Sequence, residues 1–227
     1  MEIRENFLKI MFVLVGIPHA PIVYGGVEKT LVSWVHLEDE SVRAGSILTL
    51  QNGSEFDGIV FGELMTGKWM AGSDNWKRSE KNQEKYPDKD SAAGSLVQMA
   101  IVYQKDLISI FREGNPYASY PATNIDLLSK DNNFVVFGKR HMGGGGGISG
   151  MIEDARIYDR ALTINEIKEL VPNELSEIKP FAWWSFEDDA SEQTGRFPNH
   201  ELRIGASVKN GKLMLHRGAV LIAAKSK

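Results

Sequence analysis

The stretch Ile148-Ser-Gly-Met-Ile-Glu-Asp-Ala-Arg-Ile-Tyr-Asp-Arg-Ala-Leu-Thr-Ile-Asn-Glu-Ile167 decides the fold. Over residues 151–158 its side chains fall into two alternating sets, Ile152/Asp154/Arg156/Tyr158 and Met151/Glu153/Ala155/Ile157, as a strand with two different faces requires. Asp154 and Arg156 share a face and are expected to pair as ions. Beyond the strand, Thr163 and Glu166 stand at the spacing of a capping box, and Ile164, Ile167, Leu170 and Val171 form a helical stripe that Pro172 ends. The pattern predicts a strand followed by a short helix near 164–170.

Working outward, residues 29–37, 46–51, 56–63, 68–71, 96–103, 107–112 and 134–138 read as short strands separated by polar or glycine-containing turns, the rhythm of a sandwich rather than of βαβ units. Leu96-Val-Gln-Met-Ala-Ile-Val-Tyr103 and Leu107-Ile-Ser-Ile-Phe-Arg-Glu-Gly114 form a hairpin across a short loop. Trp34, in the middle of an apolar strand, belongs in the core. Residues 80–94 are charged and aperiodic, hence a surface loop. The five glycines at 143–147 follow a strand but lack the Lys-Ser/Thr of a phosphate loop, and read as a flexible hairpin tip. Residues 171–180 are polar and bounded by prolines, as a linker would be.

Something new begins after it: an aromatic strand at Phe181-Ala-Trp-Trp-Ser-Phe-Glu187, a loop at Thr194-Gly-Arg-Phe197, and residues 202–215 with their Asn210-Gly211 turn and a Gly-Lys-Leu strand. The domain reading is therefore a sandwich over 1–172, a linker over 173–180, and a tail over 181–227. The tail either packs on the sandwich or starts a second module; about forty-five residues are too few for an independent sandwich core.

Composition narrows the function classes. A chain of 227 residues with 42% apolar content can bury one good-sized core. A net charge of −4 and a pI near 5.8 oppose a nucleic-acid footprint, which shows as clustered Lys and Arg. The absence of cysteine removes disulfides, Cys-ligated zinc and thiol nucleophiles together. Residues 10–17 form an apolar run after Arg4 and Lys9, the length of an export-signal core and too short for a membrane span. Residues 7–15 read equally as a buried strand closed by a turn between Pro18 and Pro21.

The run from Gly150 to Ile167 resembles the closing signature of the laminin-G-like, concanavalin A-like jelly roll, Gly-x-Ile-Asp-Asp-Val-Arg-Ile-Tyr-Asn-Arg-Ala-Leu-Ser, with Glu153 in place of the first Asp. Together with Lys29-Thr-Leu-Val-Ser-Trp-Val35, Phe56-Asp-Gly-Ile-Val-Phe-Gly-Glu63 and Lys68-Trp-Met-Ala-Gly-Ser73, it is similar to the module found ahead of the catalytic domain in bacterial proteins like the family 32 glycoside hydrolases. The resemblance implies an all-β, antiparallel β-sandwich, export to the periplasm or outside the cell, and a role beside a hydrolase domain. It also implies a structural calcium, for which Asp154 is the candidate ligand, although no cofactor is required by the residues themselves. The Asn-Asp-Pro nucleophile motif of those hydrolases does not occur here.

Other enzymatic patterns fail as well. A glucanase of this fold needs two carboxylates on one strand face, written Glu-x-Asp-x-Glu; Glu38-Asp39-Glu40 and Glu153-Asp154 are consecutive and would point to opposite faces. His19, His36, His141, His200 and His216 show no metal-ligand spacing. Carbohydrate binding asks for less: exposed aromatic rings against the apolar faces of sugars, with a few planar polar groups orienting the hydroxyls. Trp69, Trp76 and Tyr86, in or beside the long loop, and Arg140-His141, before the glycines, are the candidates. The expected role is a non-catalytic, carbohydrate-directed module whose partners are a glycan or a neighbouring hydrolase domain, with no nucleic acid and no membrane span. The alternatives are a fragment of a family 32-like hydrolase and a structural adhesion domain.

Overall fold

The computed structural model describes residues 27–39, 41, 43–87 and 95–225; the apolar run at 10–17 lies outside them. The chain folds through β1 (Lys29–Leu37), β2 (Gly45–Asn52), β3 (Glu55–Phe61), β4 (Trp69–Ser73), a single 3₁₀ turn (Asp74–Trp76), β5 (Val97–Gln104), β6 (Leu107–Arg112), β7 (Asn115–Pro121), β8 (Phe134–Phe137), β9 (Gly150–Tyr158) and the helix α1 (Ile164–Lys168). The tail adds β10 (Ala182–Trp184), β11 (Asn199–Arg203), β12 (Ser207–Lys209), β13 (Lys212–Leu215) and β14 (Val220–Ala224). The first sheet runs β12-β13-β9-β1-β5-β6-β7, with β10 also on β9; the second runs β11-β14-β8-β2-β3-β4. All pairings are antiparallel.

The alternation read from the sequence sets the two faces of each strand. Leu31, Val35, Leu48, Leu50, Ile59, Phe61, Val135, Phe137, Ala155 and Ile157 point between the sheets into one continuous core. On the outer face of the first sheet a second, smaller cluster holds Val32, Trp34, Ala100, Val102 and Tyr158 beneath Ile167 of α1. The helix starts where the capping box predicts: Thr163 Oγ1 accepts from Glu166 N, and the Glu166 carboxylate accepts from Thr163 N. A cap of this kind contributes about 0.5–2 kcal/mol. The helix ends at Lys168, short of the expected 170, and Val171 is exposed.

The tail supplies strands to both sheets. Two of them lie end to end along one edge of β9: β10 pairs with Ala155–Ile157, and β13 with Gly150–Ile152. Trp184 and Phe197 are fully buried, and Trp184 sits against Phe137 at 5.3 Å between ring centroids. Glu192 ties this segment together, its two carboxylate oxygens accepting from the backbone N–H groups of Trp183, Thr194, Arg196 and Phe197. Residues 173–178, read as part of a linker, are packed: Asn173 N donates to Asp154, Ser176 Oγ bonds the Tyr158 hydroxyl, and Ile178 rests on the smaller cluster.

Two further expectations are corrected. The glycine run is no hairpin tip, because β8 and β9 belong to different sheets and residues 138–149 cross between them. Gly146 serves close approach: a Cβ on it, at φ +84°, would stand 2.5 Å from the Arg43 carbonyl oxygen. β7 was not expected at all; it is the edge strand, which is where Pro116 and Pro121 are tolerated.

Candidate functional site

The residues proposed from sequence separate into buried and exposed groups. Trp69 is fully buried, its ring 4.7 Å from that of Phe61 in the core, so it cannot face a ligand. Strand alternation is the reason: Trp69, Ala71 and Ser73 share the inward face of β4. Tyr86 is likewise buried, edge-on to Tyr117 at 5.6 Å. Asp154 is no open metal ligand. Arg156 grips it in a bidentate pair at 2.9 and 2.8 Å, and its Oδ2 also accepts from Asn173 N at 2.7 Å and Trp183 Nε1 at 2.9 Å. The guanidinium is itself held between the rings of Trp34 and Trp183, at 5.3 and 5.2 Å. A cation would have to displace protein donors from both oxygens. Among the described residues no group of three or more His, Asp and Glu side chains is gathered to hold a metal ion.

Trp76, Arg140 and His141 do come together. They line a cleft of about 390 Å³ on the outer face of the second sheet, with Gln51, Phe56 and Asp74. Gln51 and Phe56 are opposite each other on β2 and β3, pointing away from the core residues Leu50 and Asp57 that flank them. His141 stacks on Phe56, with ring centroids 5.0 Å apart and planes 22° from parallel. The amide oxygen of Gln51 accepts from Met142 N at 3.0 Å and so pins the crossing segment to the sheet.

Trp76 forms the other wall. It is 38% exposed, the most open tryptophan described, and its indole N–H donates to Glu63 Oε1 at 3.1 Å. Glu63 also pairs with Arg140, whose guanidinium lies 5.7 Å from the Trp76 ring centroid. Asn75 and Trp76 both have positive φ, 48° and 53°. For a bulky aromatic this is a strained conformation, of order 1–3 kcal/mol, that persists only where surrounding structure enforces it.

Arg78 is what enforces it. Its guanidinium bonds Asp57 at 3.1 Å, Asp74 at 3.0 Å and the Phe56 carbonyl at 2.9 Å, clamping the 3₁₀ turn to β3. Asp57 is fully buried and pairs on its other oxygen with Lys29 Nζ at 2.9 Å, which joins this clamp to β1 of the first sheet. The wall of the cleft is thus anchored in the core.

The electrostatics favour neutral ligands. Burial, and then the charge of Arg140, push the His141 pKa below its ordinary value, so the imidazole is neutral at pH 7. Burial alone would raise the Asp74 carboxyl, but bonds and charges from Lys77 and Arg78 outweigh it and hold the group low and ionised. Each cationic group at the cleft is matched by a carboxylate. What remains for a ligand is one open indole and several planar polar side chains.

Gln51, Phe56, Glu63 and Asp74 were missed by sequence reasoning. They come from separate turns and strands, and nothing in their local sequence marks them.

The sequence model of a laminin-G family, described as the concanavalin A-like lectin/glucanases superfamily, matches residues 16–168. No curated protein sequence matches significantly. Among solved structures, a Bacteroides ovatus protein described as a "putative carbohydrate binding protein" superposes with a TM-score of 0.54 at 11% identity, over 89% of this chain and 55% of that one. The chain thus spans about half of that protein's length. Domain 4 of AbnA, a GH43 extracellular arabinanase from Geobacillus stearothermophilus solved with arabinotriose, gives 0.48 at 17% identity, over 63% of this chain and 66% of that one. A pentraxin from Limulus polyphemus gives 0.44 at 13%, over 73% and 81%. At these identities the likeness is one of fold.

Proposed function

Because the chain belongs to the concanavalin A-like lectin/glucanases superfamily, we propose that it is a carbohydrate-binding module without catalytic activity of its own, accessory to an exported bacterial protein of the glycoside hydrolase type. The observation that carries this reading is Trp76: an exposed indole held in a strained backbone at the mouth of a cleft. An aromatic plane stacks on the apolar face of a sugar, and rigid planar groups such as Arg140 and His141 satisfy its hydroxyls in fixed directions. Neutral glycans suit a site whose charges are already paired.

Calorimetric titration with neutral oligosaccharides tests the site. Trp76→Ala should lower affinity by about 1–3 kcal/mol while leaving the thermal transition nearly unchanged, since the ring is outside the core. Unchanged binding in a folded variant would move the site elsewhere.

The non-catalytic half of the reading has its own measurement. Glycoside hydrolysis needs a carboxylic acid that keeps its proton near neutral pH, opposite a second carboxylate. Asp74 is held ionised by Lys77 and Arg78, and Glu63 is bound to Arg140 and the Trp76 N–H. Purified protein incubated with sucrose, inulin, levan and β-glucans should release no reducing sugar. Turnover that vanishes with Glu63→Gln or Asp74→Asn would make the chain a hydrolase.

A further inference from the structure

The outer face of the second sheet carries a second cleft. It measures about 380 Å³ and is lined by Phe134, Met142, Arg203, Ile222, Ala224 and Lys225, among others. The solvated face of an antiparallel sheet normally presents polar side chains. Here the outward positions of β8 and β14 include Phe134, Ile222 and Ala224, all partly exposed, beside the buried Val136 and Val220, while the inward neighbours Val135, Leu221 and Ala223 are buried in the core. These three apolar side chains keep part of their surface open to the cleft.

The strand register joins this cleft to the one at Trp76. Ala224 is opposite Phe134, Phe134 is opposite Gln51, and Gln51 is opposite Phe56. Residues opposite one another across an antiparallel sheet share a face, so these four form one transverse row. At about 4.8 Å between strands, the row covers roughly 14 Å; beyond Phe56 the next strand, β4, ends at Ser73, where the turn that bears Trp76 begins. Met142 links the two halves: its backbone N–H donates to Gln51, and it lines the cleft at Phe134. At the far end the row meets Asn199 of β11, a strand exposed along its whole length.

Resting on the carbohydrate reading above, we infer that the ligand is an internal stretch of a linear polysaccharide, lying across the strands from Trp76 over Met142 to an apolar subsite at Phe134, Ile222 and Ala224. A single sugar or a chain end would occupy only the Trp76 half. Two clefts set along one row, with Gln51 and Phe56 buried between them under Met142 and His141 and the far cleft bordered by an exposed strand, match a continuing chain that touches both. Arg203 and Lys225 at the margin supply donors to its hydroxyls.

The test uses cello-, laminari-, arabino- and inulo-oligosaccharides of two to six units, titrated calorimetrically into the full chain. For the ladder that binds, affinity should rise about tenfold from the disaccharide to the pentasaccharide and then level off. Phe134→Ala should bring the pentasaccharide down to the disaccharide's affinity while leaving the disaccharide untouched. Ala224→Arg, which sets a long charged side chain across the row, should do the same without opening a hole, and circular dichroism melts confirm that both variants are folded. A disaccharide bound as tightly as the longer chains, or variants that weaken all lengths equally, would overturn the extended groove and leave the Trp76 site standing. No binding to any ladder would sink the carbohydrate reading itself and this inference with it.

Discussion

Asp57→Ala is expected to destabilise the sandwich by about 3–5 kcal/mol, the cost of leaving buried charges without their partner. Lys29 and Arg78 are 1% and 6% exposed, and both point at this one carboxylate from different parts of the fold. Against a typical total stability of about 5–15 kcal/mol the loss is large. Urea unfolding followed by tryptophan emission measures it. The double variant Lys29→Met/Asp57→Leu should recover the part of the deficit that comes from Lys29, while Arg78, left with Asp74 alone, keeps the remainder. A loss under about 1 kcal/mol for the single variant would mean that water reaches the pair.

The second large effect concerns the tail. A chain ended after Pro172 loses Trp184, Phe186, Phe197, Leu213, Leu215 and Leu221, each fully buried. At about 1.5–3 kcal/mol for each side chain, the loss rivals or exceeds the whole stability of a domain. The unpaired edges of β8 and β9 would also be open to pairing with other chains. This fragment should aggregate on expression and show no cooperative melt; a soluble, two-state 1–172 fragment would refute the dependence.

How far the fold can be read from sequence depends on whether its signals are local. β1 was legible to the residue because a long apolar run ends in charges at Glu38 and Asp39, and α1 because a capping box lies within four residues. The hairpin of β5 and β6 needed only its two-residue turn. β7 was hidden by its prolines, whose tolerance depends on having no neighbour on one side, a property of the assembled sheet. β14 is short and follows another turn, and its partner β8 lies far back in the chain. The glycine run was misread because glycine means looseness in a free loop and tightness where two backbones nearly touch.

The site was legible only in part, for the same reason. Trp76, Arg140 and His141 were marked by residue type, and all three line one cleft. Trp69 carries the same chemical label as Trp76, and only the position of β4 between the sheets turns it inward. Glu63 orients both Trp76 and Arg140, yet one partner is 13 residues away and the other is in a different crossing segment. No local pattern encodes such a triangle.

The end-to-end seating of β10 and β13 on β9 has a consequence for the order in which the protein can be made. β1 sits at the centre of its sheet between β5 and β9, and its contact with β9 spans 121 residues at the Ser33–Asp154 bond. Closing such long loops costs entropy before any contact repays it, which places this topology among slow folders, in the millisecond-to-second range. On the ribosome the delay is longer still. The edge of β9 that awaits the tail stays open until β10 and β13 have been synthesised, so the nascent chain presents an unpaired strand for the whole time that the tail is being translated. Slower elongation over residues 173–215 would lengthen that exposure, and faster elongation would shorten it.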